Sequence, residues 1–71
     1  MAHMVDSLVK VAAAGGSLMI GEGYLVDSVV KIALAMKGKG GHLTIKSGKY
    51  LADSMVKISQ AAPGQVTFDL T

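Results

Sequence analysis

The apolar positions of this chain follow a helical spacing three times and a strand spacing three times. In the helical segments they recur every three or four residues, the period of an amphipathic helix. These positions are Leu8, Val11 and Ala12; Leu25, Val29, Ile32, Ala33 and Met36; and Leu51, Met55, Ile58 and Ala62. In segments 18–20, 43–45 and 66–70 apolar residues take alternate positions, as in a strand with one buried face. The pattern predicts helix then strand, three times over.

Each predicted helix ends at a helix-breaking sequence and is followed at once by its strand. The breakers are 15–16 and 38–41, which are glycine-rich, and Pro63 with Gly64. A helix between two consecutive strands makes those strands parallel neighbours. The sequence therefore predicts an α/β fold of three αβ units, with a three-stranded parallel sheet.

Polar residues on the predicted strands indicate that only one face of the sheet is covered. Thr44 and Lys46 alternate with apolar residues of the second strand, and Thr67 and Asp69 do so in the third. A parallel sheet covered on both faces usually has nearly continuous apolar strands. We therefore expect all helices on one face and the polar residues on the other.

The same seven-residue motif recurs in each predicted helix. Residues 5–11, 26–32 and 52–58 read VDSLVKV, VDSVVKI and ADSMVKI, and the strands begin 25 and 23 residues apart. Such a period is typical of units that stack into a solenoid. We predict one small repeat domain over 4–71, in units of about 4–20, 24–46 and 50–71. Residues 1–3 look like a remnant of an expression vector.

The turns between strand and helix resemble those of leucine-rich repeats, which run L-x-L-x-x-N-x-L into a helix. Residues 43–51 read LTIKSGKYL and residues 18–25 read LMIGEGYL, with Gly48 and Gly23 in place of the asparagine. The resemblance covers two turns and a final strand. It implies a protein-binding module that makes its contacts through a concave sheet face. On that face it places Met19, Gly21, Thr44, Lys46, Thr67 and Asp69.

An acid and a base recur four residues apart in every copy of the motif. The pairs are Asp6 and Lys10, Asp27 and Lys31, and Asp53 and Lys57. An acid and a base on one face could transfer protons, but this spacing also suits an ion pair within one helix. Each Asp, or the Ser after it, could also cap a helix. Because three active sites in so small a chain are improbable, we predict structural pairs and no enzyme.

The glycine-rich turns offer an alternative function, the binding of an anion or a nucleotide. Free amides at the start of a helix attract phosphate. The candidate residues are Gly21, Gly23, Ser47, Gly48 and Lys49. Val26 stands where a dinucleotide-binding turn has its third glycine, and Glu22 would repel a phosphate. A glycine turn that only connects strand to helix is the simpler interpretation.

Charge and composition argue against several other classes of partner. The net charge is +2 and all seven basic residues are lysine, without the arginine that favours nucleic-acid recognition. The chain has no cysteine, and no second ligand accompanies His42, so we expect no metal and no cofactor. The uncharged run 11–21 falls short of the roughly 20 residues that span a bilayer. Without a signal peptide or membrane segment, the cytoplasm is the default location.

These observations favour a non-catalytic module that binds protein, either another protein or a second copy of itself. It would bind through the open sheet face or through the strand at 66–70. We expect that strand to present an unpaired apolar edge, and such an edge is a template for another chain. The predicted contact residues are Met19, Thr44, Lys46, Thr67, Phe68 and Asp69.

Overall fold

Three helices alternate with three strands in the computed structural model, which describes residues 4–21, 23–46 and 50–70. In chain order the elements are α1 (Val5–Ala13), β1 (Leu18–Ile20), α2 (Val26–Met36), β2 (Leu43–Lys46), α3 (Ala52–Ala61) and β3 (Val66–Asp69). The strands form one parallel sheet in the order β1-β2-β3. The predicted α/β fold class is confirmed.

The helices cover one face of this sheet. Side chains of alternate residues point to opposite faces of a strand, and on β2 Leu43 and Ile45 are completely buried. On the opposite face Met19 and Thr67 are exposed, and both lie beside Thr44 in the register of the sheet. The uncovered sheet face is therefore confirmed.

The hydrophobic core lies around the central unit. Helix α2 packs against both α1 and α3, and β2 pairs with both of the other strands. The largest fully buried side chains are Val29, Ile32, Met36, Leu43, Ile45 and Ile58. All but one belong to the central unit, so this unit is enclosed by its neighbours while the first and third units each have one open side.

Each helix begins before its aspartate, so the aspartate is inside the helix and not at its N-cap. Met4, Leu25 and Leu51 occupy the N-cap positions, and none of the three helices has a side-chain hydrogen bond at its cap. The predicted capping by Asp or Ser is therefore wrong. Each aspartate instead lies in the first turn, where its negative charge interacts favourably with the positive end of the helix dipole.

Two glycine turns pack directly against each other at the ends of α1 and α2. Gly41 is buried, and a β-carbon there would collide with the carbonyl oxygen of Gly16. Gly15 has φ of 91° and Gly40 has φ of 87°, which is the left-handed region that favours glycine. The two turns therefore need glycine for two reasons, the close backbone contact at Gly41 and the left-handed conformation at Gly15 and Gly40. Among the described residues, none of the helices combines the length and the apolar character that spanning a bilayer requires.

Candidate functional site

Equivalent positions of the three helices differ in burial according to the place of the helix in the molecule. Leu8 and Val29 are 6% and 0% exposed, but their counterpart Met55 is only half-buried. Ala33 is fully buried, whereas its counterpart Ser59 is half-buried. The side of α1 and α2 that the following unit covers is therefore open on α3.

The open side of α3 and β3 forms an apolar groove of about 620 Å³. Val56 at its wall is 54% exposed and Leu70 at its end is 60% exposed. We call this surface the C-terminal end face. It is lined by Ala52, Met55, Val56, Ser59, Gln60, Pro63, Gly64, Phe68 and Leu70.

The opposite end of the molecule has an open side as well. Val11 is 42% exposed, while its counterparts Ile32 and Ile58 are completely buried. Ala14 is exposed, while its counterpart Ala61 is buried. These differences define an N-terminal end face, which consists of Ser7, Lys10, Val11 and Ala14.

The acid–base pairs connect neighbouring helices, so the predicted pairing within each helix is wrong. Lys31 Nζ lies 3.7 Å from Asp6 Oδ1, and Lys57 Nζ lies 4.0 Å from Asp27 Oδ1. Packing of α1 on α2 and of α2 on α3 brings the aspartate of the preceding helix within reach of each lysine. Because all four side chains are well exposed, each pair contributes at most about 1 kcal/mol.

This staggered pairing leaves one charge over at each end. Among the described residues, no ion pair includes Lys10 on the N-terminal end face or Asp53 at the start of α3. Both side chains belong to exposed residues. Within the described part of the chain, the helix at one end thus keeps an unpaired lysine and the helix at the other end an unpaired aspartate.

The predicted contact residues fall on two different surfaces. Met19, Thr44 and Thr67 form one row across the open sheet face, and Lys46 lies beside Asp69 in the next row. Phe68 instead shares its row with the buried Ile45 and packs against the core. It lines the groove of the C-terminal end face and takes no part in the sheet face.

The open sheet face is largely polar. Met19 is 68% exposed on β1, but Thr67 and the half-buried Thr44 follow it across the sheet. A hydrogen bond of 2.6 Å joins His42 Nε2 to the hydroxyl of Thr67. This face offers hydrogen-bonding groups and one exposed apolar side chain.

The residues of the anion-binding alternative are only partly described. Gly21 is exposed after β1, and Gly23 has φ of 106° in the turn before α2. A β-carbon at either position would meet nothing within 4 Å, so both glycines face open space. Ser47, Gly48 and Lys49 lie outside the described residues.

Sequence reasoning missed Gln65, whose side chain ties two units together. Its Oε1 accepts a hydrogen bond of 3.0 Å from the amide of Gly38. Its Nε2 donates to the carbonyl oxygens of Met36 at 3.0 Å and Gly41 at 2.8 Å. The sequence offered one signal, since a polar residue directly precedes β1 at Ser17 and β3 at Gln65. Ser17 also links two units, because its hydroxyl accepts a hydrogen bond of 3.0 Å from the amide of His42.

Tyr50 makes a second contact between units that the sequence did not reveal. Its hydroxyl donates a hydrogen bond of 2.8 Å to the carbonyl oxygen of Tyr24. Burial of the side chain raises the pKa of Tyr50 above its ordinary value. The two tyrosines precede α2 and α3 at equivalent positions, so this bond joins the starts of neighbouring helices.

The described residues show no further chemical constellation. Within 4–21, 23–46 and 50–70 there is no group of three or more His, Asp or Glu side chains that could hold a metal ion. No protein-family model, curated protein or solved structure matches this chain.

Proposed function

We propose that this chain is a non-catalytic protein-binding module and that its C-terminal end face is the binding surface. The proposal is carried by one observation. The face that buries Val29 and Ala33 completely in the central unit is open in the third unit, where it forms an apolar groove. Exposed apolar grooves of this kind are typical of binding sites.

The groove adjoins an unpaired strand edge. Among the described residues strand β3 pairs with β2 on one side only, so it forms an edge of the sheet to which an extended segment could add. A bound segment can hydrogen bond to such an edge while its apolar side chains enter the adjoining groove. Phe68 and Leu70 on β3 and Met55 on α3 would contact such a segment.

The open sheet face is the weaker of the two surfaces. Its large apolar side chain, Met19, stands beside Thr44 and Thr67, and the Thr67 hydroxyl is already hydrogen bonded to His42. A mixed polar surface of this kind is normal for a solvated sheet face. We therefore place the primary contact in the groove and give the sheet face a supporting role.

A stacked, solenoid-like arrangement of the three units supports this choice. Consecutive strands are parallel neighbours, and their helices pack side by side in the same order. In stacked repeats each unit contacts only its neighbours, so the terminal unit keeps the surface that inner units bury. The proposed likeness to leucine-rich repeats consists in this stacking of units, each of which contacts only its neighbours.

Selection of binding peptides tests the proposal without assuming a particular partner. Short random peptides displayed on phage would be selected on the chain immobilised at low density. We expect peptides rich in apolar residues that bind about tenfold more weakly to Val56→Glu, which places a charge in the groove wall.

Leu34→Glu is the matched control for this selection. Leu34 is 56% exposed, close to the 54% of Val56, but it lies on the central helix α2 and does not line the groove. Selected peptides should bind this variant as tightly as the original chain. Equal binding to all three proteins, or no enrichment at all, would contradict a binding site in the groove.

A further inference from the structure

We infer that the C-terminal end face takes a second copy of this chain, bound head to tail through its N-terminal end face. In this arrangement α1 and β1 of one copy would lie beside α3 and β3 of the other, as α2 and β2 already lie beside α1 and β1 within one chain. The inference rests on the proposed function, because it names the partner of the same groove.

The apolar positions of the two end faces are complementary. Inside the molecule, Ile32 and Ile58 are completely buried on α2 and α3, the two helices that each pack on a preceding helix. Val11 is their counterpart and stands 42% exposed on α1. If α1 packs on α3 of another copy, Val11 would be buried as Ile32 and Ile58 are. Met55 of that other copy would be buried as Val29 is.

Charge complementarity points to the same arrangement. Each internal boundary joins an aspartate of one helix to the lysine of the next, Asp6 to Lys31 and Asp27 to Lys57. A third boundary of this kind would join Asp53 of one copy to Lys10 of another. Among the described residues these are the aspartate and the lysine of the motif that no ion pair uses.

The sheet favours head-to-tail contact over a symmetric dimer. Two copies of β3 related by a two-fold axis would pair antiparallel, whereas the strands of this sheet are all parallel. Contact of β3 with β1 of another copy continues the parallel sheet and keeps every helix on the same face. Because the two surfaces differ, each added copy presents a new groove, and association does not stop at two.

Mixing of two blocked variants tests this geometry. Val56→Glu places a charge on the C-terminal end face, and Val11→Glu places one on the N-terminal end face. By analytical ultracentrifugation we expect the original chain to associate beyond a dimer and each variant alone to stay at the 7.3 kDa of one chain. An equal mixture should reach twice that mass and no more, since each complex keeps only its two blocked faces.

Different failures have different meanings. If Val56→Glu is monomeric but Val11→Glu still associates, the head-to-tail inference falls and the groove remains the binding surface. A mixture that stays monomeric, or an original chain that is monomeric at millimolar concentration, also overturns the inference. The peptide selection, which needs no second copy, decides separately whether the groove binds protein at all.

A charge exchange repeats the test at two exposed positions outside the core. Lys10→Glu and Asp53→Lys should each weaken association roughly two- to fivefold, because a like-charge contact replaces the ion pair. Combining both substitutions in one chain should restore it. Circular dichroism would check that each variant is folded, and failure of the double variant to associate better than both single variants would contradict the Asp53–Lys10 contact.

Discussion

At the scale of single residues, polar side chains form hydrogen bonds with a neighbouring unit. Gln65 uses both ends of its amide on the turn after α2, and Tyr50 donates to the carbonyl oxygen of Tyr24. These bonds satisfy backbone groups that the helix ends and turns leave without partners. They specify how neighbouring units are placed, while the apolar core supplies most of the stability.

Gln65→Ala removes three hydrogen bonds and leaves the carbonyl oxygen of the buried Gly41 without its side-chain donor. We expect the free energy of unfolding to fall by about 1–3 kcal/mol. Urea denaturation measures the change. Gln60→Ala is the control, since Gln60 is exposed on α3, and it should change stability by less than about 0.5 kcal/mol. Equal effects of the two substitutions would contradict the role given to Gln65.

Tyr50 gives stability a dependence on alkaline pH. Because burial raises the pKa of Tyr50, the folded chain keeps this proton at a pH where the unfolded chain releases it. This contribution is therefore fully present below the ordinary tyrosine pKa of about 10 and is lost as pH rises through the higher folded value.

Tyr50→Phe tests this linkage. We expect the variant to lose about 1 kcal/mol at neutral pH, through the missing bond to Tyr24, and to lose less additional stability than the original chain above about pH 10. Thermal unfolding between neutral and alkaline pH measures both effects. Parallel pH curves for the two proteins would show that Tyr50 does not carry the alkaline dependence.

At the scale of helices and strands, local pattern predicted the elements and their order. Apolar spacing marks a helix or a strand within a few residues, so the six elements and the parallel sheet followed from the sequence alone. The partner of Lys31 did not, because choosing between Asp27 of its own helix and Asp6 of the preceding one depends on how the helices pack. The hydrogen bonds from Gln65 to Met36 and Gly41 could not be predicted either, because they depend on contacts between turns that are distant in the sequence.

The candidate site could be predicted only in part. Among the described residues β3 lies at one edge of the sheet, as the sequence predicts, while the contact role of Phe68 stays a prediction. The groove could not be foreseen, because Met55 and Ser59 occupy positions on α3 whose counterparts on α2, Val29 and Ala33, are completely buried. Sequence equivalence alone does not show which copy of a motif lacks a covering neighbour.

The contact between two turns gives a prediction at this scale. Gly41→Ala would force a β-carbon against the carbonyl oxygen of Gly16, so the two turns must separate. We expect a loss of about 1–3 kcal/mol in the free energy of unfolding, measured by urea denaturation. Gly21→Ala is the control because nothing lies within 4 Å of a β-carbon there, and it should be neutral or slightly stabilising. Equal stability of the two variants would contradict close packing of the turns.

At the scale of the whole molecule, the three units form an arrangement with two unlike ends. The N-terminal end face presents Lys10 and Val11, and the C-terminal end face presents an apolar groove with Asp53 at the start of its helix. Each end has the character of a surface that the inner boundaries bury. The proposed function and the proposed partner both depend on this difference between the two ends.

The molar mass in solution tests this account most directly. Light scattering across a concentration series, from micromolar to millimolar, measures how many copies associate. The account predicts a mass that rises with concentration beyond twice the 7.3 kDa chain, because every head-to-tail contact leaves a further groove open. A mass that remains at one chain, or that stops at two, would contradict it.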